Sequence, residues 1–185
     1  MSEQTTSAAP EARLIDGRPP LSSEALMARL EELGIAVRSV THPPVFTVEE
    51  AKALRGQLPG GHTKNLFLRN KKGAMWLVTC LEDRAVDLKA LAQKLSAGRF
   101  SFGSAERLMQ YLGVLPGSVT PLSVINDHGQ AVQMVLDEGL LSYDVLNVHP
   151  LVNDCTCAMA PKDLLRFLDV TDHPPIFLDM KALQL

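Results

Sequence analysis

Residues 60–80, GGHTKNLFLRNKKGAMWLVTC, decide the fold. Gly60-Gly61 closes one segment and opens the next. Leu66 and Leu68 lie two apart as on a strand, Asn70-Lys71-Lys72-Gly73 has hairpin-turn composition, and Met75–Cys80 is an apolar run that reads as the returning strand. The expectation is a β-hairpin from which the core of a sheet starts. The same stretch delivers Lys64 and Asn65 to the mouth of an apolar strand, just after glycines that let a backbone come close to a ligand.

On the N-terminal side, Ser22 or Ser23 is placed to cap a helix whose Leu26, Leu30 and Leu33 share a face, with Gly34 to end it. Ile35, Val37 and Val40 alternate like a strand, His42-Pro43-Pro44 breaks it, and Thr47-Val48-Glu49-Glu50 is a capping box for a short helix to about Leu54. Beyond the hairpin, Asp87 caps a helix carrying Leu88, Leu91 and Leu95, and Ser104 caps one carrying Leu108 and Leu112 before Gly113. A second hairpin is expected to pair Leu122–Ile125 with Ala131–Leu136 around Asn126-Asp127-His128-Gly129. Val145–Val148 and Cys155–Met159 read as strands, and Pro161 suits the first turn of a last helix with Leu164, Leu165 and Leu168 inward.

Strand pairs alternate with helices, without the strict strand-helix-strand order of a doubly wound sheet. The expected fold class is therefore α/β of the α+β type: a single domain with a mixed, mostly antiparallel sheet and packed helices. A length of 185 residues fits one domain over residues 21–185 behind a mobile tail at 1–20. No apolar run approaches a membrane span, and MSEQTTSAAPEARLIDGRPP lacks a basic start followed by an apolar stretch, so a cytoplasmic location with no membrane partner is expected. Three cysteines point to reduced thiols.

The formal net charge of −3 hides an asymmetry. Residues 51–100 carry ten basic against three acidic side chains, a local +7, which leaves −10 on the rest. Cations clustered around a Gly-Gly-x-x-Lys turn favour a polyanion such as a nucleotide or a tRNA end.

Three groups of residues offer chemistry. Lys64 presents a compact positive charge suited to phosphate, with the Asn65 amide beside it, although the nucleotide-loop pattern GxxxxGK[ST] is absent. In Gly117-Ser118-Val119-Thr120-Pro121, glycine permits close main-chain approach, proline stiffens, and exposed amides suit an oxyanion; a plain turn would also have this composition. His149-Pro150 ends an apolar strand where a pocket wall is expected, while His62 stands two residues from Lys64. His42, His128 and His173 lie in turn-like contexts and carry no signal. Cys155-x-Cys157 with His149 invites a zinc reading, but the spacing lacks the CxxC pairs of zinc sites, so no metal and no cofactor is expected. No GxSxG elbow or HExxH is present.

The order Gly60–Arg69, Gly117–Pro121, His149-Pro150 resembles the freestanding prolyl-tRNA editing domains of the YbaK/ProX superfamily, from about Val40 to about Val170. It is most similar to the branch that hydrolyses alanine from mischarged tRNA(Pro). The resemblance implies the fold of that superfamily and a trans-editing deacylase acting on Ala-tRNA(Pro). It implies that Lys64 and Asn65 hold the terminal adenosine, that the backbone at Gly117, Ser118, Val119, Thr120 and Pro121 lines the aminoacyl pocket, and that His149 shapes it, with His62 near the site. The implied partners are the tRNA(Pro) acceptor stem with its aminoacylated terminal adenosine, and prolyl-tRNA synthetase. The motifs alone do not separate the alanine branch from sister branches that remove cysteine or serine and threonine. A non-catalytic module that binds the tRNA acceptor end, and a small metal-binding redox protein using His149, Cys155 and Cys157, are the rival readings.

Overall fold

A computed structural model describes residues 12–44, 50, 53 and 58–183. The hairpin at its centre joins β2 (Gly61–Arg69) to β3 (Met75–Leu81), antiparallel, with Asn65 opposite Thr79 and Arg69 opposite Met75. Asn70 makes the turn: its Oδ1 accepts from the Lys72 and Ala74 amides, and its Nδ2 donates to the Ala97 carbonyl at 3.0 Å. All seven residues of β3 are buried, which explains why that strand reads as a continuous apolar run with no alternation.

The hairpin is the middle of an eight-stranded sheet. The other strands are β1 (Arg38–Thr41), β4 (Ser101–Phe102), β5 (Val132–Asp137), β6 (Leu146–Val148), β7 (Cys155–Met159) and β8 (Ile176–Leu178). Their order is β1-β7-β6-β2-β3-β5-β8, with β4 added to β2. Four pairings are antiparallel (β1–β7, β6–β7, β2–β3, β2–β4) and three are parallel (β2–β6, β3–β5, β5–β8), the mixed sheet expected.

Among the described residues four helices cover it: α1 (Ser23–Glu32), α2 (Leu88–Lys94), α3 (Ala105–Leu112) and α4 (Pro161–Val170). Ser22, Asp87 and Ser104 cap the first three through their side-chain oxygens, and Gly113 ends α3 in the left-handed region at φ 65°. Leu26 and Leu30 of α1, Leu112 of α3 and Phe167 of α4 pack with Phe67, Leu77 and Leu136 on one face of the sheet. Leu91 of α2 packs with Leu68, Trp76, Val78, Cys80 and Val135 on the other. Each face buries its own apolar layer, so the sheet is sandwiched between helices.

Three features differ from expectation. Leu122–Ile125 forms no hairpin with the following strand. Pro121–Asn126 is a 3-10 turn capped by Thr120, because Pro121 at its start has no amide to give a ladder and Leu122, Ser123 and Val124 are all buried without strand alternation. Its intended partner β5 pairs with β3 and β8 in parallel. Strands β4 and β8, two and three residues long, carry too little pattern to be read ahead. Residues 12–20, within the segment read as a tail, lie on the body: Leu14 is buried, Ile15 donates to the Gln110 carbonyl at 2.7 Å, and Asp16 meets the His128 ring at 2.7 Å. The helix expected from Thr47 to Leu54 falls outside the described residues apart from 50 and 53. No described helix is long and apolar enough to cross a membrane.

Candidate active site

The site grows from the start of β2. Gly60 has φ 108°, and a Cβ there would sit 2.6 Å from the Val145 carbonyl oxygen, so only glycine lets the chain pass. Directly after it the Gly61 amide donates to that carbonyl at 2.8 Å. Asn147 on β6 fastens the turn from the other side, donating to the Pro59 carbonyl at 3.0 Å while its own carbonyl accepts from the Thr63 hydroxyl at 2.9 Å.

Past this clasp the two strands part. On this edge β2 is paired with β6 at Gly61 and His62 and with β4 at Leu68 and Arg69, which leaves Lys64, Asn65 and Leu66 with no strand beside them. The Gly61 amide and the Phe67 carbonyl, which accepts from Gly103 at 2.9 Å, both face this edge. Strand alternation therefore turns the Asn65 N–H and C=O into the same opening.

The side chains of Lys64 and Asn65 leave β2 on opposite faces. Lys64 lies opposite Cys80, and its ammonium donates to the Arg84 carbonyl. The Arg84 Nε in turn donates to Asp137 Oδ2 at 2.9 Å, and the hydrogen bond to this fully buried carboxylate raises the arginine pKa above its ordinary value. Burial pushes the Cys80 thiol up to about 11 against the pull of Lys64, so it is not a thiolate nucleophile at neutral pH.

Asn65 is a brace. Its Nδ2 donates to the Val119 carbonyl at 2.9 Å, and its Oδ1 accepts from the Thr79 hydroxyl at 2.6 Å. One amide thus ties β2, β3 and the Gly117–Pro121 loop together. Gly117 turns that loop with φ 92°, Ser118 donates its amide to the Leu115 carbonyl at 3.0 Å, and the Thr120 carbonyl accepts from the Ser123 hydroxyl at 2.6 Å. The amides of Gly117, Val119 and Thr120 donate to none of the described residues. Pro121 and Thr120 are buried beneath the loop.

His149 ends β6 beside the opening. Its Nδ1–H donates to the Cys155 carbonyl at 3.1 Å, which leaves Nε2 as an acceptor in the neutral ring. Burial lowers its pKa below 6.5 despite that hydrogen bond, and the neighbouring His42 adds to the lowering. The loop after His149 reaches the glycine loop, since Asn153 Nδ2 lies 3.8 Å from where a Gly117 Cβ would be. His62 shares the Lys64 face and is fixed by the Leu58 carbonyl, 3.0 Å from its Nε2.

The residues singled out in the sequence thus border one gap in the sheet. Lys64 and His62 approach from one face, Asn65 and the Gly117–Pro121 loop from the other, and His149 from β6. Four participants are not evident from the sequence: Thr79, Asn147, His42 and the Arg84–Asp137 pair. Thr79 alone leaves a signal, since a hydroxyl inside a wholly apolar strand needs a partner. His42, which has the sequence context of an ordinary turn residue, is buried with its Nε2 2.9 Å from the Thr156 hydroxyl. Cys157 packs into the core, 3.7 Å from Met27 Sδ, and burial raises both its thiol and that of Cys155. No group of three His, Cys, Asp or Glu among the described residues is arranged to hold a metal ion.

Comparison with known proteins gives the family of the chain. The model of the family described as aminoacyl-tRNA editing domain matches residues 42–167. Prolyl-tRNA synthetase associated domain-containing protein 1 of Xenopus laevis is 41% identical over 160 residues, covering 84% of this chain and 95% of that one. The prolyl-tRNA editing protein ProX of Acetoanaerobium sticklandii is 36% identical over 144 residues, covering 77% and 88%. A crystal structure assigned provisionally as a trans-editing enzyme for prolyl tRNA synthetase superposes with a TM-score of 0.64 at 23% identity, covering 85% of this chain and 98% of that one. From the family match across most of its length, the chain belongs to the aminoacyl-tRNA editing domain family.

Proposed function

We propose that this protein is a trans-editing hydrolase that cleaves alanine from mischarged Ala-tRNA(Pro), with residues 21–185 as the deacylase domain. The observation that carries the reading is the Gly117–Pro121 loop, three of whose amides are unspent among the described residues, clamped by Asn65 against the gap in the sheet. The relatives' names supply the tRNA. The acceptor stem of tRNA(Pro) with its aminoacylated terminal adenosine is the partner, prolyl-tRNA synthetase a further one, and the cytoplasm the place of action.

The reaction is addition of water to the ester carbonyl, collapse of the tetrahedral intermediate, and departure of the ribose oxygen with a proton. Amides of Gly117 and Val119 donate to the oxyanion, a role that needs fixed donors and no side chain. Lys64 has three donors and spends one on the Arg84 carbonyl, which leaves two for the phosphate of the terminal nucleotide. Asn65 spends its side chain positioning the loop, so its contribution to the nucleotide is the main-chain N–H and C=O that open into the gap. His149, uncharged because burial lowers its pKa, limits the pocket. Asp137, linked to Lys64 through Arg84, is occupied by Arg84 and the Gly139 amide, and the reaction draws on no side-chain general base. The aminoacyl ester is already activated, and the vicinal ribose hydroxyl positions the water.

Such an enzyme answers a physical need. A synthetase pocket shaped for proline rejects the smaller alanine only through the apolar surface that alanine leaves unfilled, about 1–3 kcal/mol, so a second and smaller sieve removes the error. The test is deacylation of tRNA(Pro) charged separately with alanine, cysteine, serine and proline, with Lys64→Ala alongside. Loss of alanine that the variant no longer catalyses supports the reading. Loss of cysteine or serine instead moves the protein to a sister branch, and binding without turnover of any ester makes it an acceptor-end module.

A further inference from the structure

Two segments, residues 61–81 and 88–105, contain no aspartate or glutamate and hold seven cations: Lys64, Arg69, Lys71, Lys72, Lys89, Lys94 and Arg99. The fold brings them together. Asn70 ties the β2–β3 turn to the Ala97 carbonyl, and Arg69 pairs in register with Ser101 of β4. Lys89 and Arg99 line a cleft of about 520 Å³ with Gln93, Gly98 and Phe100. No ion pair engages any of these cations among the described residues. On the strand that follows Arg99 stands Phe102, 61% exposed on β4, an aromatic ring whose burial would be the ordinary outcome.

Position gives the surface its meaning. Strand β4 sits on the same edge of β2 as the gap at Lys64–Leu66, and Phe102 is in register with Leu68. Three residues of strand separate Asn65 from Leu68, about 10 Å. A strand of RNA whose last nucleotide enters the gap passes over β4 next, where it meets an exposed ring on a strand that follows Arg99 in the chain. Exposed aromatics among cations are the means by which proteins hold unpaired bases, through stacking and phosphate contacts that read no sequence.

We infer that Phe102, with Lys71, Lys72 and Arg99, forms a second RNA-binding surface that takes the unpaired nucleotides just before the aminoacylated terminus, the ring stacking on a base and the cations holding phosphates. This rests on the deacylase reading for the direction in which the RNA runs. The neighbouring glycine fits the role: a Cβ on Gly103 would lie 2.4 Å from the Phe67 ring, so the chain passes close against Phe67 there, and the Gly103 amide bonds the Phe67 carbonyl, holding the end of β4 on the edge of β2.

The experiment compares wild type, Phe102→Ala and Lys71→Ala/Lys72→Ala/Arg99→Ala, all surface changes whose thermal melts should match wild type. Each is assayed for Kd with uncharged tRNA(Pro) across a salt series, kcat/KM with Ala-tRNA(Pro), and hydrolysis of alanyl-adenosine, which has no preceding nucleotides. Phe102→Ala should weaken tRNA binding about fivefold or more, since stacking contributes about 1–3 kcal/mol per base. The triple variant should flatten the salt dependence of log K by about 0.7 for each phosphate it no longer neutralises. Alanyl-adenosine turnover should be unchanged in both. Unchanged tRNA affinity and kcat/KM would overturn the inference, as would an equal loss on alanyl-adenosine, which would place Phe102 in the pocket itself. Loss of prolyl-tRNA synthetase binding with RNA affinity intact would also overturn it, making the patch a protein-binding surface. If wild type cleaves no ester yet both variants lose tRNA, the deacylase reading fails and the surface stands.

Discussion

Replacing Thr79 by valine tests the brace at the heart of the site. The change keeps volume and β-branching but deletes the hydroxyl that donates to Asn65 Oδ1 at 2.6 Å. Thr79 is fully buried, so its loss leaves a carbonyl oxygen deprived of a donor, at a cost of about 1–3 kcal/mol. Asn65→Ala removes that bond and the 2.9 Å bond to the Val119 carbonyl, and strands the Thr79 hydroxyl, for about 2–4 kcal/mol in all. In the double variant neither group is left stranded by the other, so the combined loss should fall short of the sum by about 1–2 kcal/mol. Urea unfolding measures this: with a slope of about 2 kcal/mol/M, each kilocalorie moves the midpoint by about 0.5 M. At 25 °C, with every variant folded, Asn65→Ala should lower kcat on Ala-tRNA(Pro) far more than Thr79→Val, because only the former releases the loop. Additivity of the two changes within about 0.5 kcal/mol, or full kcat in Asn65→Ala, would refute the brace.

Gly60→Ala should lower the melting temperature well beyond Gly73→Ala, since both have positive φ but only Gly60 would drive a Cβ to 2.6 Å from a carbonyl oxygen, while Gly73 has open space. Gly117→Ala meets only Asn153 at 3.8 Å, so it should destabilise by about 1 kcal/mol from its φ of 92° and yet reduce kcat strongly by turning the loop amides, a split visible by comparing melts with turnover. Asp137→Ala strands Arg84 and frees the carbonyl that holds Lys64, and should destabilise by about 3 kcal/mol or more in urea while raising KM for the charged tRNA. For pH, the folded chain holds His149 with a lowered pKa, so the unfolded chain takes up its proton first. The stability it contributes is complete above 6.5 and is lost as pH falls from there through the lowered folded value, and His149→Gln should flatten the unfolding free energy over that window.

Much of this architecture is legible because local rules and tertiary structure agree. Leu66 and Leu68, the Asn70–Gly73 turn and Met75–Cys80 specify the hairpin, and Ser22, Asp87 and Ser104 cap the helices they are expected to cap. The segment from Leu122 to Ile125 misleads because a buried apolar run carries no period, and Thr120 and Pro121 fix a 3-10 turn instead. Strands β4 and β8 owe their existence to neighbours: two or three residues cannot declare themselves. At the site, glycine turns and the lysine stand out in sequence because their backbone demands are local. The brace does not, because Asn65 meets Thr79 and Val119 only through strand pairing and a loop 54 residues away. That Lys64 and Asn65, adjacent in sequence, serve opposite faces follows from strand alternation once β2 is seen to continue through them.

The sieve itself is tested by the ratio of single-turnover deacylation rates for Ala-tRNA(Pro) and Pro-tRNA(Pro) at equal enzyme concentration. The proposed pocket, walled by His149 and a braced glycine loop, would admit the smaller residue alone, which predicts rapid loss of alanine and a proline ester that decays no faster than without enzyme. Equal cleavage of both, or protection of both, would contradict it.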